Sequence, residues 1–370
     1  MNNLFIFLIL FLLSIESMHA QVKGQFYYEL NVNQEYRDNI PTYSDSSKIN
    51  DFRFRNSFLI GYYGNLKSLS GSWGASYENR YQQYFKFTDY TRIEHLFNLK
   101  TSFPFLRSNT IYFDEAFKIR SYSNLKPNNY LRNIFSVYLK SMVNTKLDLF
   151  FGYKNWIKNY PYSFNSINYT SYRPFMKINY QLGRNSFVGF KTEFQWHNGF
   201  LYPTQTNPNS VGNFSGSRYL IEVFGNTILL NKFLIDFTYK FEYDVPNEIN
   251  NQSTGENQGD EEPEDLLIED PDYDYVKNQT AASLLYRISA KLSLFSFLVL
   301  QNKDFINWQI NTEGNTLRSD LFFYSSIILK YKIYPDFRVS LNYIYENRNS
   351  NLKTMNYFRN TVSVGLQYNF

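Results

Sequence analysis

The stretch Val362-Ser363-Val364-Gly365-Leu366-Gln367-Tyr368-Asn369-Phe370 ends the given sequence. Its even positions are apolar or aromatic, and its odd positions are small or polar. Strict period-two alternation marks a β-strand with one apolar and one wet face. An aromatic strand of this kind left at an open sheet edge is an aggregation hazard. Closing the sheet into a barrel removes the edge, because the last strand then pairs with the first. A matching first strand is present in Phe26, Tyr28, Leu30 and Val32, which alternate with polar neighbours.

The same alternation recurs along the chain. Strands are expected near 25–36, 51–63, 67–81, 92–103, 110–121, 131–142, 146–156, 169–182, 187–197, 217–228, 232–243, 276–288, 291–302, 317–331, 337–346 and 355–370. The clearest puts Phe233, Ile235, Phe237, Tyr239, Phe241 and Tyr243 on one face and Asp236, Thr238, Lys240 and Glu242 on the other. Another sets Leu69, Trp73, Ala75 and Tyr77 against Ser68, Ser70, Ser72, Ser76 and Glu78. Connections alternate between short (64–66, 143–145, 183–186, 229–231, 289–290) and long (37–50, 82–91, 157–168, 198–216, 244–275, 303–316). That rhythm is expected of a barrel with tight turns at one rim and loops at the other.

Composition agrees. Aromatic residues are 20% of the chain, with 36 Phe and 34 Tyr against 4 Trp. Mean hydropathy is −0.45, which excludes a bundle of membrane-spanning helices. There is no cysteine, hence no disulfide framework, thiolate metal site or acylated lipobox. Charges fall on the polar strand faces, with basic residues in excess; Glu115 is the clearest charge on an apolar face. A lipid-facing Arg or Lys costs ~2–4 kcal/mol near the bilayer midplane, so a membrane barrel requires this segregation. The expected fold is all-β: a transmembrane antiparallel up-and-down barrel of about 16 strands, within a range of about 14–18. A lumen of that size is too wide for side chains to fill.

Residues Leu4 to Leu13 form an unbroken apolar run that ends in Ser14-Ile15-Glu16-Ser17-Met18-His19-Ala20. The run is too short to cross a bilayer as a helix and fits the core of a secretory signal peptide. Residues 1–20 are therefore expected to be removed, leaving 21–370 as the barrel. Met1-Asn2-Asn3 lacks the usual basic residue, and Met18 departs from the small-residue pattern.

A terminal Phe370, Tyr368 two residues earlier and strict alternation resemble the C-terminal strand of Gram-negative outer-membrane β-barrels. The resemblance implies that Tyr368 and Phe370 are read by the barrel-assembly machinery, and that the mature protein sits in outer-membrane lipid. Among such barrels the chain resembles the porins. In the general porins the third extracellular loop folds inward as a constriction, and the corresponding segment here (about 122–130) is short. Usage rich in Asn, Tyr, Phe and Lys, with an Ala20-Gln21 junction, is similar to that of Bacteroidota proteins.

Candidate functional residues fall in two groups. The first is a basic lumen wall, including Arg53, Arg55, Arg80, Arg92, Lys100, Arg120, Arg132, Lys177, Arg218, Lys240 and Arg318. Rings of Arg and Lys favour anions in a pore, whereas pairing with inward carboxylates would merely stiffen the wall. The second is the segment Asp244–Asp274, with twelve carboxylates and neither Lys nor Arg. It includes Asp260, Glu261, Glu262, Glu264, Asp265, Glu269, Asp270, Asp272 and Asp274. The simplest expectation for it is a solvated acidic loop. The alternatives are a gate over the cationic lumen anchored by Leu266-Leu267-Ile268, and a Ca²⁺ site. The spacing and turn glycine of an EF-hand are missing. Inward Tyr112, Tyr138, Phe150 and Phe175 are candidates for stacking on sugar rings.

No catalytic residue is expected. His95 is placed at the lipid-facing surface near the outer rim, and His197 at a strand end near the rim. Outer-membrane phospholipases use an outward Ser–His pair, but their local pattern is absent around His95. HExxH, GxSxG and Gly-rich phosphate loops are absent too. No resident metal or cofactor and no nucleic-acid partner is expected. With few residues between Ala20 and the first strand, no plug domain or assembly repeat is expected either. The functional expectation is passive diffusion of small polar, preferentially anionic solutes. The alternative is a structural barrel whose closed charge network supports loops that bind a surface lipoprotein, a secretion component or a second copy. An outer-membrane lipid-acting enzyme stands third.

Overall fold

Among the described residues sixteen strands follow one another, with a 3₁₀ turn at Thr88–Tyr90 among the connections. They are β1 (Val22–Thr42), β2 (Asp45–Leu66), β3 (Gly71–Tyr84), β4 (Arg92–Phe105), β5 (Asn109–Tyr122), β6 (Tyr130–Asn144), β7 (Leu147–Asn159) and β8 (Asn168–Gly183). The second half comprises β9 (Ser186–Leu201), β10 (Gly212–Leu229), β11 (Phe233–Pro246), β12 (Tyr275–Arg287), β13 (Leu292–Asn311), β14 (Gly314–Tyr334), β15 (Phe337–Ser350) and β16 (Tyr357–Asn369). This computed structural model describes residues 22–42, 45–66, 71–106, 108–126, 129–161, 168–201, 212–246, 275–311, 314–352 and 355–369. The expected signal peptide, the acidic residues 260–274 and Phe370 lie outside them.

Every strand pairs antiparallel with its chain neighbours, and β1 pairs with β16, so the sheet closes. The closing register runs from Glu29 opposite Asn369 to Arg37 opposite Thr361. Phe26, Leu30 and Tyr36 of β1 and Val362, Val364, Leu366 and Tyr368 of β16 are exposed on the outer surface. The outward parity continues around the barrel through residues such as Phe58, Phe237, Leu300 and Leu341, all exposed. An apolar exterior on a closed antiparallel barrel is the surface that a bilayer covers.

Two expected loops are strand instead. Residues 37–42 and 45–50 extend β1 and β2, which pair as far as Thr42 opposite Asp45. Residues 303–311 and 314–316 extend β13 and β14, which pair as far as Asn311 opposite Gly314. These four strands have 21, 22, 20 and 21 residues. A bilayer needs about 9–11 residues per tilted strand, so both hairpins rise beyond the membrane at the rim that bears the long connections. Register shifts after Arg37 and Asp304 mark where they leave the barrel wall. The polar composition of 37–50 masks the alternation that a chain above the bilayer no longer needs. The segment between β5 and β6 is short, as expected, since Tyr122 ends one strand and Tyr130 begins the next.

Candidate functional site: a buried ion-pair belt and the lumen below it

All eleven candidate cations of the lumen share parity with the inner face. Most are engaged with carboxylates. Toward the rim that bears the long connections, every strand places at least one inward side chain that is nearly fully buried. In chain order these include Glu35, Arg53, Tyr84, Arg92, Arg120, Tyr130, Trp156, Arg173, Glu193, Arg218, Glu242, Lys277, Lys303, Arg318, Glu346 and Arg359, none more than 8% exposed. Together they form a continuous belt around the lumen.

The belt is organised around shared carboxylates. Glu35 accepts from Arg53 Nε at 2.9 Å and meets Arg55 at 3.1 Å and Arg37 at 3.6 Å. Glu94 bonds Arg120 and also meets Lys118 at 3.2 Å and Arg92 at 3.4 Å. Glu193 meets Lys191 at 2.7 Å and Arg173 at 3.7 Å. Glu242 holds Lys240 and Lys277, the latter at 2.6 Å, and accepts from the Tyr275 hydroxyl at 3.1 Å. Asp244 accepts from Arg218 Nε at 3.1 Å, and His197 Nε2 lies 3.8 Å from it. Asp320 takes both Arg318 and Arg348, and Glu346 takes Arg359. Sharing each carboxylate among cations offsets the cost of desolvating them, because buried charges persist only when paired and hydrogen-bonded.

Aromatic plates bridge the nodes. Arg120 lies 4.8 Å from the Tyr130 ring, Arg173 4.4 Å from Trp156, Lys303 4.3 Å from Tyr275 and Arg318 4.5 Å from Phe305. Desolvated cation–π contacts of this kind contribute about 2 kcal/mol each. Asp51 faces the rim instead: its carboxylate accepts the backbone N–H groups of Lys86 and Phe87 at 3.0–3.1 Å and pins the segment between β3 and β4.

The candidate cations therefore sort by environment. Arg53, Arg55, Arg80, Arg92, Arg120, Arg218, Lys240 and Arg318 are ion-paired. Arg132 lies against the Trp156 ring, and Lys177 sits 4.7 Å from Phe224 and 5.4 Å from Phe150. Lys100 is exposed, opposite Asp114 in register. With Asp51 set apart at the rim, the nearly fully buried side chains comprise eleven Arg or Lys against seven Asp or Glu, so the belt keeps a basic excess.

Two placements differ from expectation. Asp244 is not part of the acidic loop: β11 runs on to Pro246 and sets this residue in the belt beside Arg218. His197 is buried inside the belt, stacked on Tyr169 at 5.9 Å, rather than standing at a rim. Arg37, Lys277, Lys303, Arg348, Arg359 and Glu346 belong to the belt and escaped the sequence reading. For Arg37, and for Glu346 with Arg348, a signal was present, whereas Lys277, Lys303 and Arg359 have no opposite charge two residues away. Glu35/Arg37, Glu78/Arg80, Arg92/Glu94, Lys191/Glu193, Lys240/Glu242 and Arg318/Asp320 are opposite charges two apart in a strand, hence on one face.

Below the belt the wall divides. On β5–β10 the expected inward aromatics come together: Tyr112 and Tyr138 stack at 4.7 Å and 9°, and Phe150 and Phe175 lie 6.4 and 6.2 Å from Tyr138. Lysine ammonium groups already cover these rings, Lys154 at 5.5 Å from Phe175 and Lys140 at 5.7 Å from Phe150. On β14–β16, β1 and β2 a largely polar wall borders an open cavity of about 410 Å³ that reaches up to the belt at Glu35, Arg37, Arg53 and Glu346. On the outer face, His95 Nδ1 lies 2.8 Å from the Tyr77 hydroxyl and 3.3 Å from the Asn79 amide, and no serine bonds it among the described residues. Glu115 faces outward as expected and accepts from Asn133.

Fold and lumen together define a porin-like transmembrane β-barrel: sixteen antiparallel strands, an apolar exterior and a charged interior. Closed barrels of this kind are built for bacterial outer membranes. No protein-family model and no curated protein matches the sequence. Solved structures similar over nearly the whole chain include OmpT of Vibrio cholerae, an outer membrane protein, at 12% identity and TM-score 0.48, covering 94% of this chain and 99% of that one. OpdO of Pseudomonas aeruginosa matches at 9% and 0.48, covering 95% and 99%. A bacterial polysaccharide outer membrane secretin matches at 10% and 0.45, covering 93% and 98%. The likeness is one of barrel architecture.

Proposed function

We propose that the protein is an outer-membrane channel for small polar solutes, in which the belt sets the aperture that an infolded loop sets elsewhere. The observation that supports this is the largely polar lumen wall, with its cavity of about 410 Å³ running down from the belt. Arg287 and Lys330 are exposed there, and Arg338 is half-buried. Among the described residues none of the three has a carboxylate partner, so the lower lumen adds basic character to that of the belt. Cations placed this way favour anions in a pore. Liposomes containing the purified barrel should swell faster in small anionic solutes than in cationic ones of equal size. Equal rates would remove the anion preference, and no swelling in any solute would remove the channel.

One observation favours a second reading. The belt draws buried side chains from all sixteen strands, as a scaffold barrel would if it only held loops for a partner. A barrel that passes neither ions nor sugars would decide for it.

A further inference from the structure

The 410 Å³ cavity is bordered by rows of residues that the register lays side by side. One row runs Lys330, Ser340, Gly365, Asn33 and Arg55 across β14, β15, β16, β1 and β2. The row beside it, toward the short turns, carries Arg338, Gln367 and Asn31. The row on the belt side carries Asn342 and Ser363 and ends on Glu35. The floor is thus largely amide and hydroxyl, with Lys330 and Arg338 at one end, Arg55 at the other, and Glu35, Arg37, Arg53 and Glu346 along the belt side.

Gly365 fits this floor because nothing larger does. A Cβ there would lie 2.0 Å from Asn33 Oδ1 and 2.7 Å from Ser340 Oγ. The missing side chain lets both polar groups lie flat across the strand. Ser340 donates weakly to the Gly365 carbonyl at 3.4 Å, and Asn342 Oδ1 accepts from Ser326 at 3.2 Å, leaving the Asn342 amide N–H groups for the cavity. Asn33 makes no hydrogen bond to other described residues. Arg55 is committed to Glu35, but Lys330 and Arg338, diagonal neighbours on β14 and β15, meet no carboxylate among the described residues. The two tall hairpins, β1–β2 and β13–β14, stand on either side of this sector.

The geometry points to a binding shelf for a sugar bearing a carboxylate. Amides and hydroxyls pair with ring hydroxyls, while Lys330 and Arg338 hold the anion, Arg338 through its planar fork. The volume lies in the range of small-molecule sites. This inference deepens the channel reading and rests on it for transport, but the shelf itself is a statement about binding.

The test is titration calorimetry of the detergent-solubilised full barrel with galacturonic acid, galactose and inorganic phosphate. Galacturonic acid is expected to bind at least tenfold more tightly than galactose, and phosphate more weakly than galacturonic acid. The double variant Lys330→Gln/Arg338→Gln should lose the preference for the acid and keep the affinity for galactose. Gly365→Ala should weaken both sugars, its barrel checked by circular dichroism. Failing that fold check, Asn33→Leu, which adds no backbone crowding, should weaken both in its place. Equal binding of the two sugars, phosphate binding as tightly as the acid, or an unchanged double variant would overturn the shelf. Binding without conductance would overturn only the channel, and conductance without binding only the shelf.

Discussion

Arg318 grips Asp320 two residues along the same strand, with Nε 3.0 Å from Oδ1 and Nη2 2.6 Å from Oδ2, both side chains almost fully buried. Arg348 reaches the same carboxylate from β15 at 3.0 Å. The fork geometry makes this a bidentate, charge-assisted pair. Asp320→Ala would strand the Arg318 charge in a buried site, and removing one partner of such a pair costs about 3–5 kcal/mol. Arg348→Ala should cost much less, because Arg348 is 20% exposed and is screened by solvent. Denaturant titration of the barrel in detergent, read by intrinsic fluorescence, checks the order. Equal costs would contradict the burial argument.

Glu115 tests the assignment of the outer face. It sits mid-strand on β5 with outward parity, held by Asn133. Leucine there should leave the barrel as stable or more so. Lysine should lower stability by ~2–4 kcal/mol if the position lies near the midplane. Refolding titrations into lipid vesicles report both, and a tolerated lysine would place Glu115 away from the bilayer midplane.

Asp51 is expected to control a single outer connection. Its two oxygens hold the Lys86 and Phe87 amides. Asp51→Ala should speed hydrogen exchange in residues 85–91 and leave β3 and β4 protected, since their ladder bonds do not depend on it. Unchanged exchange would mean that the segment is held by its own turn.

The belt pair on β15 and β16 is suited to testing the aperture. Glu346 and Arg359 are both buried and bonded to each other, with Tyr324 beside them in the belt. Replacing both with alanine removes bulk without leaving a lone charge. Single-channel conductance should rise in this double variant and change little in Lys100→Ala, which lies below the belt. A rise in Lys100→Ala alone would move the constriction downward.

The barrel was legible because lipid enforces it. Phe233 to Tyr243 alternate without a break, since each outward position must be apolar and each inward one wet. The alternation lapses in 37–42, 45–50, 303–311 and 314–316, where strands continue above the bilayer and that pressure ends. Which cation meets which carboxylate was less legible, because pairing across strands depends on register, and register on turn lengths. Arg218 and Asp244 are 26 residues apart and meet because β10 and β11 pair in that register. Asp244 also looked like the first member of an acidic loop, since its neighbours in sequence are acidic. The shelf around Gly365 was least visible: it spans five strands, and its key feature is a missing side chain.

A belt-limited, basic lumen is expected to conduct. Planar-bilayer recording of the purified barrel in a salt gradient tests it most directly. The expected result is discrete conductance steps, a reversal potential on the anion side, and larger steps in Glu346→Ala/Arg359→Ala. A correctly folded barrel that shows no steps in either form would contradict it.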